Sequence, residues 1–202
     1  VVISKDEERM KSFSKYLLDE IDIYIEYFRA KGITPNIKEI HLGGGSPNVM
    51  DEAEFSQLVC KLGELVNISS LEQFALEIDV RSVDREKAIF FHEMGINRIS
   101  FGVQDFNPEV QKAVNRVQPK ELIERLLTPD IRSRFQSVNF DIMWGLPKQT
   151  RQTFRETIQT LKEFSPDRIT LLHYGHYPEV YKHQTLIDLS DIPSESEKTM
   201  MN

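Results

Sequence analysis

Apolar residues recur every three or four positions in some stretches of the chain and every second position in others. The first period is typical of amphipathic helices, and the second is typical of strands with one buried face. The helical period predicts helices over residues 5–31, 51–66, 84–94, 107–115, 120–127 and 150–163. The shorter period predicts strands over residues 37–42, 73–79, 97–103, 138–144 and 168–173.

Strands alternate with helices along most of the chain, which favours parallel βαβ units. A closed eight-stranded barrel typically needs about 250 residues, more than this chain has. We therefore predict an α/β fold, a partial (β/α) barrel of parallel strands with outer helices, or part of a longer protein. The predicted partial barrel covers residues 1–187, and a polar connecting tail without a clear period follows at 188–202.

The composition narrows the class of protein. The 202 residues are 40% hydrophobic and 28% charged, which is typical of a globular domain. The net charge of −7 argues against a general nucleic-acid binder. No apolar stretch reaches the roughly 20 residues of a membrane helix, and Cys60 is the single cysteine, which excludes an internal disulfide framework. We expect a cytoplasmic protein.

Glycines and polar residues that can bind a ligand lie within or directly after four predicted strands. The triplet Gly43-Gly44-Gly45 follows the first, Glu77 lies near the end of the second, Gln104 follows the third, and Asp141 lies within the fourth. In a parallel β/α array the loops after the strands share one face, where active sites form. Each feature also has a structural explanation: the triplet as a tight turn, and Glu77 as an internal salt bridge to a basic neighbour such as Arg98.

The chemistry of these groups suits a polar, charged ligand. Glycines let backbone N–H groups approach a ligand, and the Glu77 carboxylate can pair with an ammonium group. The Gln104 amide can donate and accept, and Arg116 can bind a carboxylate with two hydrogen bonds. The alternative interpretation of Gln104 is a loop cap, and that of Arg116 is a solvated surface arginine. Asp141 lies among apolar residues and therefore needs a partner, such as ribose hydroxyls.

Three further residues have candidate roles of other kinds. His173 and His176 have a spacing that metal ligands can have, but no acid or thiol lies nearby in the sequence. Aromatic lining of a pocket is the favoured interpretation. Cys60 falls on the apolar face of its helix and is predicted to be a buried small side chain. The pattern assigns no metal ligand and no catalytic residue.

In combination and in order, these motifs resemble those of the radical S-adenosylmethionine (radical SAM) enzymes, and among them the oxygen-independent coproporphyrinogen III oxidases. The resemblance spans most of residues 38–178. It is carried by HLGGGSPNVM, LEIDVRSVD, NRISFGVQDFNPEVQKAVNR, NFDIMWGLPKQTRQTF and PDRITLLHYGHYP. The pair GVQDFNPEVQ and GLPKQT is specific to this group and its near relatives.

The resemblance implies a partial barrel with S-adenosylmethionine (SAM) and a 4Fe–4S cluster at its mouth. The SAM-binding residues that it implies are Gly44, Gly45, Ser46, Glu77, Gln104, Arg116, Asp141 and Gly175. Gly44, Gly45 and Ser46 would hold the methionine part, and Glu77 would line the same site. The ribose and carboxylate contacts would be completed by Gln104, Arg116 and Asp141. Gly175 would contribute backbone near the adenine.

The activity implied by the resemblance is an oxidative decarboxylation in haem biosynthesis. In that family the cluster donates an electron to SAM, and a 5′-deoxyadenosyl radical abstracts hydrogen from a propionate of coproporphyrinogen III. Loss of carbon dioxide and one electron then leaves a vinyl group, and this happens at two propionates, giving protoporphyrinogen IX. The implied partners are this small-molecule substrate and an electron donor of the flavodoxin or ferredoxin type, without nucleic acid or membrane.

The sequence departs from the family pattern at several positions. The three cluster cysteines are expected before Val1, and Cys60 alone cannot hold such a cluster. Ser46 replaces a common threonine but keeps the hydroxyl, and Val80 stands where proline is usual. Two alternative functions stay open: a haem chaperone on the same barrel, and a non-catalytic scaffold that still binds SAM.

We expect the chain as given to be inactive, because its one cysteine cannot supply the thiolates of a 4Fe–4S cluster. After anaerobic reconstitution with iron, sulfide, SAM and a reductant, it should release no 5′-deoxyadenosine. Release of 5′-deoxyadenosine above the level of a protein-free blank, measured by chromatography, would contradict this expectation.

Overall fold

Strands and helices alternate along the chain as the sequence predicts. The computed structural model describes residues 7–201, with side chains from residue 12 onward. The strands, in their order in the sheet, are β1 (Glu39–Leu42), β2 (Gln73–Ile78), β3 (Arg98–Gln104), β4 (Ser137–Trp144) and β5 (Arg168–His173). The helices are α1 (Glu7–Lys31), α2 (Glu52–Leu62), α3 (Arg85–Glu93), α4 (Pro108–Ala113), α5 (Lys120–Leu126), α6 (Pro129–Arg134), α7 (Arg151–Glu163) and α8 (Glu195–Thr199).

The chain forms two compact units. One contains the residues up to Ile99 together with Ser133–Gln136, and the other contains Ser100–Arg132 and the residues from Ser137 onward.

The first unit is built on the parallel pair β1 and β2, in which Leu42 lies opposite Leu76. Asp51 caps the N-terminus of α2, and its carboxylate accepts a hydrogen bond from a backbone N–H of the first turn. Phe55 of α2 is fully buried and packs on Phe91 of α3, with ring centroids 4.8 Å apart. The parallel pairing places the loops after β1 and β2 at the same end of this unit.

The second unit contains the parallel pair β4 and β5, in which Trp144 lies opposite His173. Its core is aromatic: the buried Phe140 ring lies 5.4 Å from Phe101 and 5.5 Å from Phe164, between centroids. The last residues of β4 and β5 therefore lie side by side, and the loops that follow these strands leave from one end.

Cys60 is exposed, and its predicted burial is wrong. Successive residues turn by about 100° around a helix, so Cys60 lies about 200° from the buried Leu58 of the same helix. The buried face of α2 is thus the face of Phe55 and Leu58, and Cys60 points away from it.

Two other segments differ from the sequence-based expectation. The helix α6, which the periodicity does not predict, begins at Pro129, because the fixed φ of proline suits the first turn of a helix. The polar residues from 188 onward include α8, which begins with a capping box at Ser194, and the buried Met201 follows it. Residues 5 and 6 of the first predicted helix lie outside the described residues.

Within residues 7–201, no helix combines the length and the apolar character that crossing a membrane requires.

Candidate functional site

The loop after β1 presents two glycines to open space. Gly44 has a φ of +88°, a left-handed conformation that favours glycine, and a side chain at Gly44 or Gly45 would meet no atom within 4 Å. Ser46 follows and caps a short 3₁₀ turn through its backbone carbonyl, which accepts from Val49 N–H at 2.9 Å. Its hydroxyl makes no capping hydrogen bond in that turn. The backbone of this loop is therefore accessible to a ligand.

Glu77, near the end of β2, lies against this loop. The Gly44 N–H donates to Glu77 Oε2 at 3.2 Å, and His41 Nε2 lies 3.0 Å from Glu77 Oε1. Within the first unit the structure thus brings Gly44 and Glu77 together. The basic neighbour of Glu77 is His41, whereas Arg98 donates to Gln73 Oε1 at 2.8 Å.

Gly43 differs from the other two glycines of the triplet, because a side chain there would collide with other atoms. A Cβ at Gly43 would lie 2.6 Å from Glu77 Oε1 and 2.6 Å from His41 Nε2. Real Cβ atoms essentially never approach other atoms so closely. The space that Gly43 leaves is therefore filled by the protein's own His41 and Glu77 side chains.

Asn48 fixes the same loop, and the sequence analysis did not single it out. This residue is fully buried, its Oδ1 accepts from Asp79 N–H at 2.9 Å, and its Nδ2 donates to Ser82 Oγ at 2.8 Å. The loop after β1 is thereby tied to the residues that follow β2. In the sequence, Asn48 stands between the apolar residues Pro47 and Val49, and this pattern is the feature that could have indicated its role.

In the second unit, Gln104 and Arg116 lie together beside Gly102. Arg116 Nε donates to the Gly102 carbonyl at 3.1 Å, and a Cβ at Gly102 would lie 3.0 Å from an Arg116 terminal nitrogen and 3.1 Å from Gln104 Nε2. Arg116 is half-buried, not a solvated surface residue. Gln104 has a φ of 67°, and its side-chain oxygen is buried without a hydrogen-bond partner among the described residues.

Asp105 anchors the end of β3 and so holds Gln104 in place. Its side chain is almost fully buried, and its carboxylate accepts from Asn107 N–H at 2.6 Å, Thr157 Oγ1 at 2.7 Å and Gln149 Nε2 at 2.6 Å. Burial raises the pKa of Asp105 above its ordinary value, although these hydrogen bonds oppose the shift. The left-handed conformation of Gln104 is thus fixed by a buried carboxylate on the next residue.

Asp141 has protein partners already. Its Oδ2 accepts from Ser100 Oγ at 3.0 Å, and its Oδ1 accepts from Asn139 Nδ2 at 2.7 Å. It is half-buried, so the need for a partner inferred from its apolar neighbours is met by side chains of β3 and β4. The carboxylate keeps further acceptor capacity, since it has roughly four lone-pair sites.

Gly175 lies in a loop that its own neighbours hold tightly. Its carbonyl accepts from Gln184 Nε2 at 3.0 Å, and a side chain at this position would collide with the ring of Tyr177. The His173 ring packs against Trp144 at a tilt of 36°, with centroids 4.3 Å apart, and His176 Nδ1 lies 3.0 Å from the Tyr174 hydroxyl. Among residues 12–201, whose side chains the structure describes, no group of three or more His, Cys, Asp or Glu residues is arranged to hold a metal ion.

The family is decided by comparison with known proteins. The model of the radical SAM superfamily matches residues 4–161. The chain belongs to the radical SAM superfamily. This confirms the resemblance that the motifs at the strand ends indicate.

Several relatives of this radical SAM chain share the same protein name. Oxygen-independent coproporphyrinogen III oxidase of Pseudomonas aeruginosa is 33% identical over 202 residues, which are 99% of this chain and 43% of that protein. The Escherichia coli protein of the same name is 36% identical over 163 residues, 81% of this chain and 36% of that protein. The chain therefore spans less than half the length of these curated relatives.

The fold of the radical SAM chain has a solved counterpart. The structure of coproporphyrinogen III oxidase from Escherichia coli, described there as a radical SAM enzyme, matches with a TM-score of 0.88 and 31% identity. The match covers 99% of this chain and 45% of the solved one. The predicted partial (β/α) barrel of parallel strands is confirmed.

The described residues fit SAM but do not fit a 4Fe–4S cluster. The Glu77 carboxylate beside an open glycine loop suits an ammonium group, and the unpartnered Gln104 oxygen suits a hydroxyl donor. A cluster needs several thiolates, and the one cysteine, Cys60, is exposed on α2. Each unit therefore offers groups whose chemistry suits the organic cofactor, whereas the one cysteine cannot hold the inorganic one.

The anchoring role of Asp105 predicts the effect of replacing Thr157 with valine, which keeps the shape but removes the hydroxyl that donates to Asp105 and accepts from Phe106 N–H. A hydrogen bond to a charged group contributes about 1.5–3 kcal/mol, so T157V should lower the free energy of unfolding by roughly that amount at neutral pH. Because the folded-state pKa of Asp105 is raised, its ionisation reduces stability as the pH rises through that pKa. The Thr157 hydrogen bond favours the ionised carboxylate and opposes this reduction. The loss of stability in T157V should therefore grow as the pH rises and Asp105 ionises.

Urea unfolding followed by circular dichroism, from about pH 4 to neutrality, measures this loss. The matched control is Thr160→Val, which makes the same substitution one turn later on α7. A T157V loss that equals the control, or that does not change with pH, would contradict the role assigned to Asp105.

Proposed function

We propose that this chain binds SAM, and that the protein to which it belongs is an oxygen-independent coproporphyrinogen III oxidase of haem biosynthesis. The observation that carries the proposal is the contact of the Glu77 carboxylate with the Gly44 N–H in the loop after β1. The names of relatives 33% and 36% identical to this chain support the choice of reaction.

The first unit offers groups for the amino-acid end of SAM. The Glu77 side chain is 37% exposed, so its carboxylate can accept hydrogen bonds from an ammonium group without losing its contact with Gly44. The open space beside Gly44 and Gly45 leaves room for the methionine part, and the Ser46 hydroxyl lies next along the chain.

The second unit offers groups for the remaining polar atoms, and we assign them as the family resemblance implies. The Arg116 guanidinium suits the carboxylate of SAM, since its planar group can donate two parallel hydrogen bonds. The buried, unpartnered Gln104 oxygen and the remaining acceptor sites of Asp141 suit ribose hydroxyls. Gly175 would contribute backbone near the adenine.

The chemistry that SAM would supply when held by these residues is a 5′-deoxyadenosyl radical for hydrogen abstraction from the propionates of the substrate. The residues of this chain hold the cofactor and orient it. Within the proposal, the cluster-binding cysteines precede Val1, a flavodoxin- or ferredoxin-type protein supplies the electron, and the enzyme acts in the cytoplasm. Each of two propionates of coproporphyrinogen III would lose a hydrogen atom to that radical, then carbon dioxide and one electron to an electron acceptor, which gives the two vinyl groups of protoporphyrinogen IX.

The test uses the full-length protein, reconstituted anaerobically and supplied with coproporphyrinogen III, SAM and a reductant. We expect protoporphyrinogen IX together with 5′-deoxyadenosine. E77Q, which keeps the shape of the side chain but removes its charge, should bind SAM at least about tenfold more weakly, since a charge-assisted contact is lost. The matched control is Glu72→Gln, which removes an exposed carboxylate at the other end of the same strand.

Haem bound in equal amount to the protein, without any decarboxylation, would instead assign the protein to the haem chaperones. SAM binding without either outcome would assign it to the non-catalytic scaffolds. Equal SAM affinities of E77Q and the unchanged protein would contradict the role of Glu77.

A further inference from the structure

We infer that His41 is a positioning residue for SAM: it holds the Glu77 carboxylate in the orientation that binds the ammonium group, in the space that Gly43 leaves open. This inference rests on the proposed function, because it needs Glu77 to be a SAM-binding group. It goes beyond that function by assigning roles to His41 and Gly43.

The geometry of the first unit holds both oxygens of one carboxylate from two sides. Oε1 of Glu77 lies 3.0 Å from His41 Nε2, and Oε2 lies 3.2 Å from the Gly44 nitrogen. An ionised carboxylate only accepts hydrogen bonds, so a hydrogen bond across this distance requires a proton on Nε2 of the His41 ring. Two contacts on different oxygens prevent rotation of the carboxylate about its terminal bond, which a single contact would allow.

The held carboxylate keeps capacity for a ligand. Its two oxygens offer roughly four lone-pair sites, and His41 and Gly44 occupy one on each oxygen. One site on each oxygen remains, which suits an ammonium group that donates to both. His41 is half exposed, with 50% of its side-chain surface accessible, so it does not act as core packing.

The register of the two strands explains how His41 reaches Glu77. His41 lies opposite Ala75 in the parallel pair, and Glu77 is two residues further along β2. Residues two apart in a strand share a face of the sheet, so both side chains project from the same face near the glycine loop.

Gly43 makes this contact possible. A Cβ there would lie 2.6 Å from Glu77 Oε1 and 2.6 Å from His41 Nε2. Both of these atoms are ends of flexible side chains, so an added methyl group would separate the pair and leave the backbone in place. Gly43 does not adopt a left-handed φ, so its backbone conformation does not require glycine. The close approach of the two side chains is therefore the reason for glycine at this position.

The experiment measures the dissociation constant of SAM by anaerobic calorimetry on the full-length, cluster-loaded protein and its variants. H41L removes the hydrogen bond and should raise the constant about fivefold, the size expected for a partly exposed charged contact. H41Q should return it to within about twofold, because the glutamine amide can donate from the position of Nε2. G43A, which deletes no polar group, should weaken binding about as much as H41L.

E77Q separates this inference from the proposed function. In the E77Q background, H41L should change the constant by less than about twofold, because the two residues act through one contact. Lys38→Ala is the matched control, since it removes an exposed ion pair with Glu72 at the opposite end of β1 and β2. It should leave SAM binding unchanged.

If E77Q weakens binding but H41L does not, the inference about His41 is overturned and the proposed function stands. An H41L effect that H41Q fails to reverse, or that persists in full in the E77Q background, also overturns it. If E77Q itself has no effect, both the role of Glu77 and the inference that rests on it are wrong.

Discussion

The placement of one carboxylate beside a glycine loop is the constraint on which the account of this site depends. Glu77 reaches the loop after β1 only because the parallel pairing of β1 and β2 ends both strands at the same place, and because Gly43 has no side chain there. Its charge is held by a backbone N–H from Gly44 and by the ring of His41, and it stays accessible to a cation. A charged group in this setting is prepared for a ligand before the ligand arrives.

The second unit uses burial where the first uses an open loop. Asp105 is taken out of water at the end of β3, and the donors around its carboxylate compensate for the cost of burying a charge. This fixes the unusual backbone of Gln104, whose side-chain oxygen has no partner among the described residues, and Arg116 lies beside it at Gly102. In each unit, therefore, a residue with a structural role places a neighbour that has free binding capacity.

The sequence predicts the alternation of strands and helices and most of the groups at strand ends, because periodicity and the loops of parallel strands are local features. The sequence does not predict features that depend on the direction in which a side chain points. Cys60 has apolar neighbours along the chain but faces solvent, and His41 becomes significant only through the register that places it on the face of Glu77. The need for glycine at Gly43 comes from side chains that meet across two strands, so no pattern within the triplet could show it.

The most direct measurement is a crystal structure of the full-length protein grown anaerobically with SAM. The account predicts that the ammonium nitrogen of SAM lies about 2.7–2.9 Å from a Glu77 oxygen, as charge-assisted hydrogen bonds do. It also predicts that the contacts of this carboxylate with His41 and Gly44 are retained. SAM bound with Glu77 paired only to His41 and Gly44, and no cation beside it, would contradict the central claim.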